Sequence, residues 1–446
     1  MTASQPATQP RRDLGRAILA LAIPALGALI AEPLFLAADT AIVGHLGVPE
    51  LAGAGLGVTV VSTGVGLLIF LAYSTTPAVA RHVGAGRLPD AFAAGRDGVW
   101  LAVALGIVLA VTGWLTAPGL VAAMGGTGEV AGFAVDYIRW SMPGLPAMLL
   151  VLAATGVLRG LQDTRTPLLV ATVGFGANIG LNWLLVYGAG LSVAGSAIGT
   201  SVVQWAMAAV YLALLVPRAR AEGVRLRPHA AGMIAMAQVG SWLMLRTVSL
   251  RVAILATVWV ATAQGAVTLA GHQLVFTLFT FLAFALDALA IAAQALIGKE
   301  LGAGRTDVAH ELTRTMMRWG VLFGLVTGAV LAVAAPWVPW LFTQDQDVAR
   351  AATVGLWVLA ASQPVCGLVF VLDGVLIGAG DARYLALAGL VAFGLYAPLL
   401  ALAAVADVAQ PILALWLAFG VGYICARAVT LVWRVRNDAW MRVGAA

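Results

Sequence analysis

Gly84-Ala85-Gly86-Arg87 is the stretch that decides the fold, because it returns 218 positions later as Gly302-Ala303-Gly304-Arg305. The same offset joins further matching pairs without a gap: Leu51–Gly53 with Leu269–Gly271, Pro118 with Pro336, Pro146 with Pro364, Gly160 with Gly378, and Asp163 with Asp381. The chain therefore contains two copies of one unit. Duplicated units of this kind are a sequence pattern of many transporter folds, in which one half moves against the other around a central site.

The composition places the chain in a lipid bilayer. Of its 446 residues, 61% are hydrophobic and only 10% are charged, whereas a soluble domain carries roughly 25% charged residues. The net charge of +5 does not indicate a nucleic-acid partner, because the basic residues lie between apolar stretches. Cys366 and Cys425 both lie within apolar runs, so we expect buried thiols and neither a disulfide framework nor a metal site.

Long apolar stretches divide the chain into segments that can each cross a membrane. A spanning helix needs roughly 20 apolar residues, and the sequence lacks the short alternating segments of barrel strands. The predicted spans are 14–44, 53–79, 92–117, 131–157, 166–187, 193–216, 234–260, 268–297, 315–335, 349–377, 384–405 and 412–433. We therefore predict an all-α integral membrane protein with about twelve transmembrane helices.

The basic residues predict how these spans are oriented. Most of them lie in alternate loops, within the stretches 81–96, 159–165, 218–227, 299–318 and 434–442. Loops rich in lysine and arginine face the cytoplasm. We therefore expect a multi-pass protein of the cytoplasmic (inner) membrane with both termini in the cytoplasm.

Six predicted spans in each copy determine how the two copies are related. Because six is even, both copies begin on the same side of the membrane, and the repeat is parallel. We expect two six-helix bundles, related by a pseudo-twofold axis along the membrane normal, with a cavity between them. The N-terminal lobe is predicted to comprise residues 1–217, the cytoplasmic linker 218–235 and the C-terminal lobe 236–446.

Polar residues that lie inside spans and do not repeat are the candidates for function. A charge inside the bilayer costs at least about 2.5–3.5 kcal/mol on insertion scales, so it seldom persists without a role. Glu32 and Asp39 share a face of the first span, Asn178 and Asn182 share a face of the fifth, and Thr200 lies in the sixth. We predict one pocket that holds a proton or a hard cation such as Na⁺. Alternatively, the asparagines only join neighbouring helices by hydrogen bonds.

The C-terminal copy carries buried charges of its own. Asp287 and Asp373 lie within spans eight and ten, and Arg246 and Arg251 lie within span seven. The sequence leaves two roles equally open for them, an ion-paired scaffold and a polar substrate site. Pro24 removes one backbone hydrogen bond from the first span, which is compatible with a hinge or with a fixed bend.

Motifs of the common enzyme classes are absent from the sequence. It contains no Gly-Lys-Ser/Thr phosphate loop, no nucleophile elbow and no metalloprotease motif. Its five histidines show no metal-ligand spacing. We therefore expect neither an enzyme nor a protein with a cofactor or bound metal.

Four motifs resemble the MATE family (multidrug and toxic compound extrusion), and within it the DinF-like branch. They are Ala38–Gly47 (ADTAIVGHLG), Val83–Arg87 (VGAGR), Arg159–Arg165 (RGLQDTR) and Asp373–Asp381 (DGVLIGAGD), and the resemblance covers nearly the whole chain. It implies a two-lobed exporter of twelve helices that exchanges a cation for an organic substrate. Another branch uses acids of the C-lobe, one of them on helix seven. Span seven has no acid here, so that site is not transferred, although Asp373 matches an acid of helix ten.

The resemblance also assigns roles to residues of the first copy. It implies that Asp39 is the coupling acid and that Asn178 and Thr200 belong to its pocket. Pro24 matches a proline at which the first helix is proposed to bend. Asn182 stands where some relatives carry an aspartate, so a tightly held Na⁺ is not implied.

The function expected from the sequence is secondary active efflux by cation antiport, with H⁺ as the favoured coupling ion. Asp39 alternates between charged and protonated states, and a monomer exports a small organic compound that is cationic or amphiphilic. Two alternatives stay open: a Na⁺-coupled exporter of the same fold, and a flippase for lipid-linked precursors from the wider superfamily. Twelve spans with few arginines inside them weigh against the flippase.

Overall fold

The computed structural model describes residues 11–406, 408 and 410–444, and within them all regular structure is helical. Twelve segments in this part of the chain are long and apolar enough to cross a membrane, which confirms the predicted all-α membrane fold. The α-helices are α1 (Arg11–Gly44), α2 (Val48–Leu67), α3 (Phe70–Gly84), α4 (Leu88–Ala123), α5 (Gly128–Ser141), α6 (Leu145–Gly160), α7 (Arg165–Trp183), α8 (Ser192–Ala221), α9 (Ala230–Ala263), α10 (Ala266–Gly302), α11 (Thr306–Ala334), α12 (Gln346–Gly378), α13 (Ala382–Val405), α14 (Pro411–Trp416) and α15 (Ile424–Arg436).

Four of the spans consist of more than one helical piece. Helices α2 and α3 form one span with a turn between them, and the 3₁₀ turn Met142–Gly144 joins α5 to α6. Pro143 lies in that turn and lacks the N–H that a continuous α-helix would use. Helix α7 continues as the π-helix Leu184–Gly188, and α14 reaches α15 through the π-helix Leu417–Tyr423. Short π-helical turns occur frequently at functional sites.

The helices pack as two groups that follow the order of the chain. In the first group, α2 packs on α5, α4 on α6, and α7 on both α1 and α8. In the second, α9 packs on α13, and both α10 and α11 pack on α12. We call these groups the N-lobe and the C-lobe. They meet mainly where α10 contacts α1 and α3.

The stretch predicted as the linker, residues 218–235, includes the end of α8 and the start of α9. Only residues 222–229 of the stretch 218–235 lie outside helices, because α8 continues through two arginines that suit the last turn of a helix. The indole Nε1 of Trp100, on α4, donates a hydrogen bond to the carbonyl of Leu226 at 2.9 Å. This bond fixes the path of the linker over the N-lobe.

Helices α3 and α10 cross backbone against backbone near their C-terminal ends. A Cβ atom on Gly84 would lie 1.9 Å from the carbonyl oxygen of Lys299, and one on Gly302 would lie 2.0 Å from that of Arg81. The offset of 218 converts one contact into the other, since it maps Gly84 onto Gly302 and Arg81 onto Lys299. The crossing therefore lies about the pseudo-twofold axis, and only glycine fits at its two closest points.

A stripe of glycines brings α11 close to α12. Gly320, Gly324 and Gly328 recur every four residues and share one face of α11. A Cβ atom on Gly324 would lie 2.3 Å from the carbonyl oxygen of Gln363 on α12. Small residues allow helix backbones to approach in a bilayer, where association depends on packing rather than on the exclusion of water. The contact fixes α12, which carries Asp373.

Gly324→Leu is expected to destabilise the protein by about 1–3 kcal/mol or more, because the new side chain has no space between the two backbones. Gly394→Leu is the matched control, since Gly394 is an exposed residue of α13 with no atom within 4 Å of its Cβ position. The control should stay within about 0.5 kcal/mol of the parent. Thermal unfolding in detergent compares the variants, and equal melting temperatures would contradict the packing described.

Candidate functional site

Asp39 lies on α1 in a pocket formed with α7 and α8, and its residue is only 5% exposed. Nδ2 of Asn182, on α7, donates to Oδ1 of Asp39 at 2.7 Å, and Oγ of Ser196, on α8, donates to the same oxygen at 2.6 Å. Among the residues that the structure describes, Asp39 forms no ion pair. Its second oxygen, Oδ2, accepts no hydrogen bond from those residues. The carboxyl group is therefore buried without a counter-charge.

Asn178 and Thr200 extend the same pocket by one helical turn. Nδ2 of Asn178 donates to Oγ1 of Thr200 at 3.3 Å. The amide oxygens of Asn178 and Asn182 are both buried and have no hydrogen-bond partner within the described part of the chain. Unpaired buried oxygens are costly. The pocket thus presents acceptors without enough donors, which suits a proton carrier or a cation.

Ser196 is a pocket residue that the sequence prediction missed. It lies four positions before Thr200 and therefore on the same face of α8, and this spacing is the signal that identifies it. Gly199 makes room for the neighbouring amide, because a Cβ atom there would lie 2.1 Å from Oδ1 of Asn182.

Two aromatic rings pack between α1 and α7: Phe35 of α1 stacks on Phe175 of α7 with ring centroids 5.1 Å apart. This contact holds α1 against α7 beside the pocket.

Glu32 shares a face of α1 with Asp39 but is not in its pocket. Its side chain is exposed, and the described residues give it no hydrogen bond and no ion pair. Seven positions before it on the same face, Ala25 packs against α10 of the C-lobe. Glu32 is therefore an exposed residue of α1, two helical turns beyond the contact of that helix with α10.

Helix α1 runs through Pro24 without ending. Pro24 has no N–H to donate to the carbonyl of Ala20. The hydroxyl of Thr164, directly before α7, donates to that carbonyl instead at 3.4 Å. The proline therefore leaves the helix intact, and a hydrogen bond from Thr164 replaces the backbone hydrogen bond that α1 lacks at Ala20.

Asp373 is the centre of an ion-paired triad in the C-lobe. Arg246, on α9, binds its Oδ2, and Nη2 of Arg427, on α15, donates to its Oδ1 at 2.5 Å. Asp373 and Arg427 are 7% and 4% exposed. Both carboxylate oxygens bind guanidinium groups, so the negative charge of Asp373 is already neutralised by two cations. Of the two roles left open for Asp373 and Arg246, the contacts fit the ion-paired scaffold.

Arg251 and Asp287 lie outside this triad, near the boundary between the lobes. Arg251 is exposed, and a Cβ atom on Gly66 of the N-lobe would lie 3.4 Å from its Nη2. Asp287 is half-buried on α10 and close enough to Arg246 and to Arg159 of the N-lobe to interact with them electrostatically. Asp287 is also within electrostatic range of Asp373, so three of the four predicted C-lobe residues lie near one another, and Arg251 lies apart from them at the lobe boundary.

The C-lobe counterpart of the Asp39 pocket contains no acid. The offset of 218 maps Asp39 onto Thr257 and Asn178 onto Tyr396. The hydroxyl groups of Thr257 and Tyr396 are buried and lie 2.6 Å apart. This neutral pair satisfies its own hydrogen bond, so the ionisable version of the pocket belongs to the N-lobe.

Twelve apolar spans in two lobes, with a buried acid in the N-lobe that has no counter-charge among the described residues, are the features of a multi-pass membrane transporter. The MatE family model matches the chain over residues 24–184 and 246–402, one match in each lobe, and the chain belongs to the MatE family. Members of this family are transporters and not enzymes. The family suggested by the sequence motifs is thereby confirmed.

Relatives and solved structures agree with this assignment. DNA damage-inducible protein F of Escherichia coli (strain K12) is 30% identical over 445 residues, which are 95% of this chain and 94% of that protein. Protein DETOXIFICATION 44, chloroplastic, of Arabidopsis thaliana is 30% identical over 385 residues, which are 84% and 74% of the two chains. The Vibrio cholerae MATE transporter VcmN in the bent form has the same fold, with a TM-score of 0.87 at 20% identity over 96% of this chain and 99% of that chain. The structure of a MOP superfamily transporter from Pyrococcus furiosus matches with a TM-score of 0.86 at 21% identity, over 98% of this chain and 99% of that chain.

Asp373→Asn is expected to destabilise the protein by about 3–5 kcal/mol, because it leaves the buried Arg427 without its counter-charge and removes the ion pair of Arg246. Arg350→Gln is the matched control, since it removes an exposed ion pair with Asp347 and should change stability by less than about 1 kcal/mol. Melting temperatures in detergent compare the two variants. If Asp373→Asn melted with the parent, the triad would have no structural role.

Proposed function

We propose that the protein is a secondary antiporter that exports a small organic compound in exchange for protons, with Asp39 as the coupling acid. The observation that supports this is the isolation of the Asp39 carboxyl group. It receives hydrogen bonds from Asn182 and Ser196 but has no cationic partner among the described residues. A carboxylate in this position has lost its water without gaining a counter-charge, so binding a proton relieves a large electrostatic cost.

Protonation changes which hydrogen bonds the pocket can form. The ionised group only accepts, and both of its bonds fall on Oδ1. Protonated on Oδ2, the same group also becomes a donor. The unpaired amide oxygens of Asn178 and Asn182 are acceptors within the pocket. Proton binding therefore removes a charge and favours a new arrangement of α1 against α7.

Helix α1 is suited to transmit this rearrangement, because it contacts both lobes. Its Asp39 end lies in the N-lobe pocket, while Ala25 packs against Ala288 and Ile291 of α10. Pro24 interrupts the hydrogen bonding of α1 at the level of that contact. We assign Pro24 the role of hinge, so that a bend there moves the Asp39 end of α1 relative to the C-lobe.

The exported compound is proposed to be cationic or amphiphilic. An ionised Asp39 attracts a cation in the cleft, and protonation removes that attraction, so proton and substrate occupy the protein in turn. Glu32 adds negative charge to the face of α1 that it shares with Asp39, and Asp287 adds it near the lobe boundary. Among the relatives is the Multidrug resistance protein MdtK of Edwardsiella ictaluri, 28% identical over 393 residues, which supports an organic substrate.

The proposed setting is a monomer in the cytoplasmic (inner) membrane, with both ends of the chain in the cytoplasm as the basic loops predict. We divide the chain into an N-lobe of residues 1–217, a linker of residues 218–235 and a C-lobe of residues 236–446. Of these, residues 1–10, 407, 409, 445 and 446 lie outside the described part of the chain.

Asp39→Asn is expected to abolish proton-driven efflux, because an amide at this position cannot take up a proton. Asp136→Asn, at an exposed position of α5, is the matched control and should transport like the parent. The measurement is dye efflux by purified protein in vesicles under an imposed pH gradient, with dye binding as the check for folding. Undiminished gradient-driven efflux by a folded Asp39→Asn protein would falsify the coupling role.

Asn182→Asp is expected to create a dependence on Na⁺. A hard cation such as Na⁺ prefers several oxygen ligands, and the pocket contains only one carboxylate. The Nδ2 atom of Asn182 lies 2.7 Å from Oδ1 of Asp39, so an aspartate at position 182 places a second carboxylate beside the first and raises the affinity for a hard cation. Efflux by this variant should respond to an imposed Na⁺ gradient, whereas the parent should respond to a pH gradient alone. The double variant Asp39→Asn, Asn182→Asp restores a single acid and should lose the Na⁺ response. A parent protein driven by Na⁺ would instead establish the alternative, a Na⁺-coupled exporter.

A further inference from the structure

The lobes are held together at one face of the molecule. Among the described residues, the hydrogen bonds between the lobes come from Thr75, Arg81 and Gln162 of the N-lobe. Thr75 and Arg81 lie in the second half of the span that α2 and α3 form, and Gln162 lies two residues after the end of α6. These bonds, like the backbone crossing of α3 with α10, lie towards the ends of α3, α6 and α10. We call this end of the molecule the closed face; the orientation predicted from the basic loops makes it cytoplasmic.

A short segment after α15 lies across the closed face. We call residues Asn437–Gly444 the strap. Trp440 anchors it in the C-lobe: this residue is 1% exposed, and its ring stands edge-on to that of His310 with centroids 6.2 Å apart. Oδ1 of Asp438 lies 3.1 Å from Nε2 of His310. Further along, the N–H of Gly444 donates to the carbonyl of Leu301 at 3.1 Å.

Arg81 joins the strap to the N-lobe. It lies on α3 and is 8% exposed. Its Nη1 donates to the carbonyl of Gly444 at 3.1 Å, and its Nη2 donates to the carbonyl of Ala379 at 2.5 Å. Ala379 caps the C-terminal end of α12, where unpaired carbonyls carry partial negative charge. One planar guanidinium group thus binds the strap and the end of a C-lobe helix at the same time.

The strap is held on the C-lobe, whereas Arg81 belongs to α3 of the N-lobe. The bond between them therefore depends on the distance between the lobes. All other described hydrogen bonds of the strap stay within itself or the C-lobe, so a separation of the lobes breaks the bonds of Arg81 and leaves the strap on the C-lobe. Arg442 of the strap lies close enough to Arg81 to repel it. The lock is therefore held by directed hydrogen bonds and opposed by a like charge, which makes it reversible.

We propose that the strap and Arg81 form a lock that keeps the closed face shut, and that this lock must open before the cleft can open on that side. A transporter that alternates between two openings needs contacts that exist in one state only, since only such contacts shift the balance between the states. The bonds from Arg81 to Gly444 and Ala379 meet this requirement, because they cross between the lobes. Removing the strap end of the lock should favour opening by about tenfold, which is the effect of losing one charge-assisted hydrogen bond, and removing Arg81 should favour it further because both bonds are lost.

The test measures the separation of the lobes at the closed face directly. Spin labels are attached to Asp90→Cys and Asp307→Cys, two exposed positions in the first turns of α4 and α11. The native thiols are removed by Cys366→Ala and Cys425→Ala. Distances are recorded by double electron–electron resonance on the full chain in lipid nanodiscs, without substrate and without a gradient. The result therefore does not depend on which ion drives transport.

Trp440→Ala and Arg81→Gln are the two test variants, and each removes a different end of the lock. Trp440→Ala should increase the ratio of long to short distances about tenfold over the parent, and Arg81→Gln should increase it by at least as much. Trp433→Ala is the matched control, since Trp433 lies on α15, is 67% exposed and takes no part in the lock; it should leave the distribution unchanged. If either test variant melted like the parent and kept the parental distances, the lock would be ruled out, and the proposal for Asp39 would be unaffected.

Discussion

A polar group inside a bilayer has no water to bond with, and every buried polar group of this protein must be understood from that constraint. The constraint makes the chain helical, and it explains local details as well. The carbonyl of Ala20, deprived of its donor by Pro24, receives a bond from Thr164. The carboxylate of Asp373 is neutralised from both sides by Arg246 and Arg427. Asp39 differs from these groups, because hydrogen bonds reach it but no counter-charge does, and that difference separates the candidate site from the scaffold.

Features that depend on composition and spacing along the chain could be predicted from the sequence. Twelve spans follow from the lengths of the apolar runs, and the pocket around Asp39, Asn178 and Asn182 follows from polar residues that the second copy does not repeat. Pairings between distant segments could not be predicted. Arg427 lies 54 positions after Asp373, and no spacing rule indicates that their helices meet. Glu32 shows the limit of the same-face argument, because it shares a face of α1 with Asp39 but no described hydrogen bond or ion pair joins it to the pocket.

Duplication explains the scaffold of the protein better than its chemistry. Gly84 and Gly302 are equivalent in the two copies because the crossing of α3 with α10 lies about the axis that relates them, where each copy needs the same absence of a side chain. The pockets lie away from the axis and are free to differ. In the C-lobe, Thr257 and Tyr396 complete each other's hydrogen bond, whereas the N-lobe pocket keeps two unpaired amide oxygens. In the proposed mechanism, the symmetric frame carries an ionisable pocket in one lobe only, so a proton acts on the balance between the lobes at one place.

The Asp39 pocket and the closed face lie towards opposite ends of the molecule, so a rigid element has to connect them if proton binding is to open the lock. Helix α10 is in the right position. Midway along its length, Ala288 and Ile291 pack against Ala25 of α1, one residue beyond the proposed hinge at Pro24. At its C-terminal end, Gly302 crosses α3 beside Arg81. In the proposed mechanism, a bend of α1 changes its packing on α10. Because close-packed helices shift as units rather than deform, that change is transmitted to the crossing where the proposed lock is formed.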